Sequence, residues 1–153
     1  PIGMLVVLDS ILNRITQNRA KGKHTFIFID EIYLLFQHEY SANFLFTLWK
    51  RVRKYGAYAS GITQNVDDLL QSHTARTMLA NSEFIIMLNQ ASTDRTELAK
   101  LLNISDLQLS YITNVDAGHG LIKVGSSLVP FANKFPKNTK LYKLMTTKPG
   151  ENL

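Results

Sequence analysis

Apolar and polar positions along this chain change period from element to element. Leu5, Leu8, Leu12 and Ile15 recur at helical spacing, with Met4 and Ile11 beside them and Asn13, Arg14, Gln17, Asn18 and Arg19 opposite. This predicts an amphipathic helix closed by a C-terminal cap at Gly22. A short link then enters Thr25-Phe26-Ile27-Phe28-Ile29, an apolar run that predicts a strand buried on both faces, as in a parallel sheet covered by helices. It runs into Asp30-Glu31 with no turn residue between them. Alternation along a strand points these two carboxylates in different directions. Helix, short loop and buried strand make half of a right-handed crossover unit, whose preceding strand is expected upstream of Pro1.

After Ile32–Phe36 comes a polar break, and Ser41 is expected to cap a helix burying Phe44, Leu45, Leu48, Trp49 and Val52. Ala57–Thr63 predicts the next strand, rich in small residues and ending at Gln64-Asn65. Short helices follow at Val66–Leu70 and Thr74–Asn81, then another buried strand over Glu83–Leu88 ending at Asn89-Gln90. Ser92 or Thr93 is expected to cap a helix through Leu102 that Asn103 closes. Ser105-x-x-Gln108 has the form of a capping box, and Asp116-Ala117-Gly118 that of a turn. Gly120–Val124 and Leu128–Phe131 alternate around Gly125-Ser126-Ser127, the pattern of a β-hairpin. The fold class expected is α/β, a mostly parallel three-layer sheet with a C-terminal β-hairpin.

Composition narrows the chemistry. A length of 153 residues suits one domain with a real core. With no cysteine there are no disulfides, thiolate metal sites or cysteine nucleophiles. No apolar run is long enough to cross a bilayer. His24, His38, His73 and His119 show no spacing that suggests a metal site, and no G-x-S-x-G elbow is present. The net charge of +5 leans toward anionic partners, but much of the excess sits in a tail where five lysines from Lys134 to Lys148 mix with Pro136, Pro149 and Gly150. Residues 136–153 are therefore read as a basic, loosely structured tail, with Leu141, Tyr142, Leu144 and Met145 available to dock on a neighbour.

Three strand ends carry the candidate chemistry: Asp30-Glu31, Thr63-Gln64 and Asn89-Gln90. In open α/β sheets the carboxyl edge of the strands is where ligands bind. Two acids there suit a metal–phosphate site, one holding Mg²⁺ and the other orienting or deprotonating an attacking water. A glutamine on the following strand can reach a terminal phosphate or that water with both a donor and an acceptor. Between the two strands lie Lys50, Arg51, Arg53 and Lys54, which complement a helix dipole as readily as they would serve a site.

Taken together, Phe26-Ile27-Phe28-Ile29-Asp30-Glu31, Lys50-Arg51-Val52-Arg53-Lys54-Tyr55-Gly56, and Gly61-Ile62-Thr63-Gln64 with the following Asp67-Asp68-Leu69-Leu70 resemble one known region. It is the C-terminal ATPase region of the conjugative-transfer ATPases, the type IV secretion motors, within the RecA-like P-loop class of the FtsK and HerA groups. The resemblance covers residues 1–135, the C-terminal part of a RecA-like ATPase domain. It implies ATP and Mg²⁺ as cofactors, Asp30 as the Walker B metal acid, Glu31 as the residue that activates water, and Gln64 as the phosphate sensor. An arginine reaching across a subunit boundary is placed at Arg53, then Arg51, with Arg95 as the runner-up. Other subunits of a hexameric motor, secretion-channel and membrane components, and DNA are the partners implied. The location implied is cytoplasmic, peripheral at the inner face of the membrane.

One departure stands out. The family requires a phosphate-binding loop G-x-x-x-x-G-K-S/T, and the nearest approach here, Gly120-x-x-x-x-Gly125-Ser126-Ser127, has serine for lysine and lies in a hairpin. The loop is expected upstream of Pro1, so this chain alone is expected to be inactive as an ATPase and monomeric or weakly associating. The alternative is a non-catalytic α/β module binding DNA or a partner protein through its basic surface.

Overall fold

The computed structural model describes residues 2–64 and 66–147, with the side chains of residues 2 and 92–94 outside that description. The chain divides into two compact units, Pro1–Ser82 and Glu83–Leu153.

In the first unit, helix α1 (Ile2–Ala20) leads through Gly22 in the left-handed region to strand β1 (Thr25–Ile29). A 3₁₀ segment, Ile32–Gln37, joins β1 to α2 (Glu39–Arg51), and a second, Val52–Tyr55, leads to β2 (Ala57–Gly61). Strands β1 and β2 are parallel, in register from Thr25↔Ala57 to Ile29↔Gly61. Two short helices, α3 (Val66–Gln71) and α4 (His73–Ala80), close the unit. Ser72 caps α4 by accepting from the Ala75 N–H.

Two small cores hold these elements. Ile15 of α1, Leu48 and Val52 pack on Ile27 and Ala57, so the helical layer covers one face of the strand pair. Ile32, Leu45, Leu69, Ala75 and Met78 form the second, beneath the segment that follows the two acids. The expectation of a strand buried on both faces is corrected here: Phe26 and Phe28 are 65% and 71% exposed, while Ile27 is buried in the core and Ile29 is partly buried against it. The run reads as continuous apolar sequence, yet the described helices cover one side of it. Phe26 stacks instead on Tyr58 of β2, rings 5.0 Å apart.

Two local expectations also change. Leu12 lies at the exposed rim of α1 rather than in its buried stripe, which runs through Leu8 and Ile15. Ser41 does not cap α2, whose N-cap is His38. It is buried one turn inside, where its hydroxyl donates to the Leu35 and His38 carbonyls and ties the 3₁₀ segment to the helix.

The second unit is built on an antiparallel sheet in the order β3 (Phe84–Met87), β4 (His119–Val124), β5 (Ser127–Ala132). The hairpin forms where the alternation indicated, with Gly125 in its turn. Glu83–Leu88 is not a fully buried strand: β3 pairs antiparallel with β4, Ile85 and Met87 face inward, and Phe84 and Ile86 are exposed. Helix α5 (Ser92–Leu102) has Ala91 at its N-cap instead of Ser92 or Thr93, and ends at Asn103 in the left-handed region. The capping box at Ser105 and Gln108 forms in full at the start of α6 (Asp106–Leu109). Within the tail, Lys140–Met145 forms a short helix, α7, capped by Thr139, with Phe135 stacked on Tyr142. The α/β class, the parallel pair and the C-terminal antiparallel sheet are all present.

The phosphate-loop look-alike is structural. A Cβ on Gly120 would run into the Met87 carbonyl oxygen and come within 2.7 Å of the Phe131 ring. Gly120→Ala is expected to cost about 3 kcal/mol, the upper end for overpacking, because a main-chain oxygen cannot step aside as a side chain can. Urea denaturation of the variant chain checks it, and a midpoint like the parent's would show that β4 relaxes freely at this position.

Candidate functional site

The acids sit where β1 ends. Asp30 is exposed, and its Oδ1 accepts the Glu31 N–H at 3.0 Å, a local turn that leaves Oδ2 without a partner among the described residues. Glu31 is half-buried and adopts φ 48°, ψ 45°, the left-handed region that a residue with a Cβ occupies at a cost of about 1–2 kcal/mol. The backbone thus leaves the strand geometry at Glu31, so the strand alternation expected of the two acids ends there. Beyond it the chain drops into the Ile32–Gln37 segment, with Ile32 only 5% exposed.

The neighbouring strand end is pinned against this turn. Ile62 donates its N–H to the Ile29 carbonyl at 2.8 Å and accepts the Ile32 N–H at 3.0 Å. Its two backbone bonds straddle Asp30 and Glu31, and Thr63 and exposed Gln64 continue directly from it. The sheet thus brings Asp30-Glu31 and Thr63-Gln64 to one edge, the carboxyl end of a parallel pair. Asn65 lies outside the described residues. Asn89-Gln90 belongs to the second unit, where the Gln90 N–H donates to the Ile112 carbonyl.

The arginines lie at the other end of the same strands. Thr25 donates to the Gly56 carbonyl at the start of the ladder, immediately after Arg51, Arg53 and Lys54. Five-residue strands rising ~3.3 Å per residue separate that edge from the acids by roughly 13 Å. From Arg19 to Lys23 and from Lys50 to Lys54 the chain carries seven basic residues and no acid. Arg19 lies over the Tyr55 ring, 5.1 Å from its centroid, drawing the two basic segments together. The first unit is accordingly polarised, basic at the leading edge of its strands and acidic at the trailing edge. Arg51 lines an apolar groove of about 210 Å³ with Leu12, Phe44 and Tyr55, and both Arg51 and Arg53 are exposed. Arg95 is on the first turns of α5 in the second unit.

A second concavity, about 350 Å³, opens beside the acid turn and is lined by Tyr33, Phe36, Gln37, Asp68, Gln71 and Ser72. Its walls belong to the segment that follows Glu31 and to the helices that follow Gln64. Among the described residues no group of three or more His, Cys, Asp or Glu side chains could hold a metal. Asp30 could contribute one oxygen to Mg²⁺, a hard cation that keeps several waters and takes one or two carboxylates alongside phosphate oxygens. What sequence reasoning missed is the backbone: the left-handed Glu31, the Ile62 bridge, and the fit of Ile32 over Gly61. Gly61 at the end of a small-residue strand was the available signal.

The family model described as the TraG P-loop domain matches residues 1–123. No curated protein matches the sequence. Among solved structures, VirB4 of Thermoanaerobacter pseudethanolicus aligns with a TM-score of 0.75 at 25% identity. The alignment covers 85% of this chain and 36% of that one, so the chain spans little more than a third of the length of that relative.

Proposed function

The chain belongs to the TraG P-loop domain family, and from that membership we propose that it forms the hydrolytic half of the nucleotide site in a conjugative-transfer ATPase of type IV secretion. The observation that carries the reading is the pinned adjacency of Asp30-Glu31 and Gln64 at the carboxyl edge of two parallel strands. In this reading Asp30 would hold Mg²⁺, whose charge would offset that of the phosphate oxygens. Glu31 takes a proton from the attacking water. Gln64, on the adjoining strand end, hydrogen-bonds the terminal phosphate or the same water.

The position of the basic edge supports a trans role for an arginine. Roughly 13 Å of strand separates Arg53 from the acids of its own chain, so Arg53 would meet the phosphate of a neighbouring subunit, and it is placed ahead of Arg51, which lines the apolar groove. The motor would be a ring, a hexamer when full length, working with channel and membrane components at the cytoplasmic face of the membrane, with DNA a candidate cargo. Among the described residues no helix is long and apolar enough to cross a membrane. These 153 residues hold no G-x-x-x-x-G-K-S/T loop, so the chain alone is proposed to turn over no ATP.

The test is Gln64→Ala in a protein that joins this chain to a phosphate-binding loop. ATP should still bind while turnover falls about a hundredfold, the usual cost of one preorganised hydrogen-bonding group at the reacting centre. Unchanged turnover would remove Gln64 from the site.

A further inference from the structure

Two backbone hydrogen bonds to a single residue bracket the acid pair. The Ile62 N–H reaches the Ile29 carbonyl before Asp30, and the Ile62 carbonyl receives the Ile32 N–H after Glu31. Between those anchors only two residues turn the chain from strand into 3₁₀ segment, and it passes through the left-handed conformation at Glu31. On the inner side, Ile32 lies over Gly61: a Cβ built on Gly61 would stand 2.6 Å from Ile32 Cδ1, and 3.4 and 3.6 Å from its Cγ2 and Cβ. Ile32 cannot swing away cheaply, since it is buried against Leu45, Leu69, Ala75 and Met78.

We infer that Gly61 and Ile62 are positioning residues for the Glu31 carboxylate, forming a clamp that ties the acid turn to the strand end bearing Gln64; this rests on the reading of Glu31 as the base. The clamp acts through geometry alone. Gly61 lets Ile32 seat, Ile32 and Ile62 fix both ends of the turn, and the turn fixes the direction of Glu31. Gln64 is two residues beyond Ile62, so a displacement of Gln64 when the terminal phosphate departs pulls on the bonds that orient Glu31. The same contacts thus align the base before hydrolysis and release it afterwards.

The test is a cycle that removes one atom. In a protein joining this chain to a phosphate-binding loop, Gly61→Ala should leave the KM for ATP in place and lower kcat about a hundredfold, the scale of a displacement of about 1 Å at a reacting group. Ile32→Val deletes the Cδ1 atom that the new methyl would strike and leaves only ordinary contacts behind. The double variant Gly61→Ala with Ile32→Val should recover kcat to within about threefold of Ile32→Val alone, an interaction expected of residues in direct contact. Amide exchange gives a second readout on the present chain without nucleotide: the Ile32 and Ile62 amides should be protected, lose protection in Gly61→Ala, and regain it in the double variant.

A normal kcat in Gly61→Ala overturns the clamp while leaving the Glu31 reading intact. So does a folded double variant that stays slow, which also covers the case where Gly61→Ala alone does not fold. If Glu31→Gln keeps full turnover, the reading of Glu31 fails and the clamp's purpose fails with it, whatever Gly61→Ala does.

Discussion

Glu31→Gln, in a protein that joins this chain to a phosphate-binding loop, is expected to bind ATP and Mg²⁺ normally and to lose turnover by about 10²–10⁴-fold, the contribution of a positioned general base. Gln matches Glu in shape and keeps a hydrogen-bond acceptor, so a loss of that size would report the missing basicity and not a changed fold. The backbone supplies an independent check. Glu31 occupies φ 48°, where Gly would sit without steric penalty. Glu31→Gly should therefore leave the chain as stable as the parent, or more stable by up to about 1 kcal/mol, while turnover is lost as in Glu31→Gln. Stability gained together with activity lost is the mark of strain held at a working site. Steady-state hydrolysis, fluorescent-nucleotide binding and a thermal melt on both variants decide it. Full turnover in Glu31→Gln would assign the base to another group.

The legible parts of this chain were those in which a local pattern has a single physical solution. Ser105 and Gln108 read as a capping box and Gly125-Ser126 as a hairpin turn, and both form as expected because their bonds are short-range; Thr25–Ile29 also forms a strand, although its partner Ala57–Gly61 lies some thirty residues on. The failures share a cause as well. Phe26 and Phe28 look like core because an apolar run carries no record of how many helices cover it. Ser41 looks like a cap, but its hydroxyl is claimed by carbonyls of the preceding 3₁₀ segment. For the candidate site, residue types and order could be read directly, since acids at one strand end and an amide at the next are sequence facts. Their pinning could not. The Ile62 bridge and the left-handed turn at Glu31 depend on strand register and on the burial of Ile32, which emerge only when α2, α3 and α4 pack.

That packing is where the largest stability effect is expected. Leu45 is 0% exposed and sits with Ile32, Leu69, Ala75 and Met78, joining α2 to the segment under the acid turn and to both following helices. Leu45→Ala should destabilise the chain by about 2–5 kcal/mol through lost transfer energy and a residual cavity. At ~2–4 °C per kcal/mol for a protein of this size, the melting temperature should fall by roughly 4–20 °C. Leu12→Ala, at a position 40% exposed on α1, should cost far less, about 1 kcal/mol or below. Similar losses at both positions would mean that the core beneath the acids is loosely packed. Leu45→Ala should also couple to Gly61→Ala, because both act on Ile32. The space left by Leu45 gives Ile32 room to retreat from a new methyl at position 61, so the double variant should lose less stability than the two singles added, by about 0.5–3 kcal/mol. Strict additivity in urea denaturation would separate the core from the acid turn, and the position of Glu31 would then owe nothing to α2.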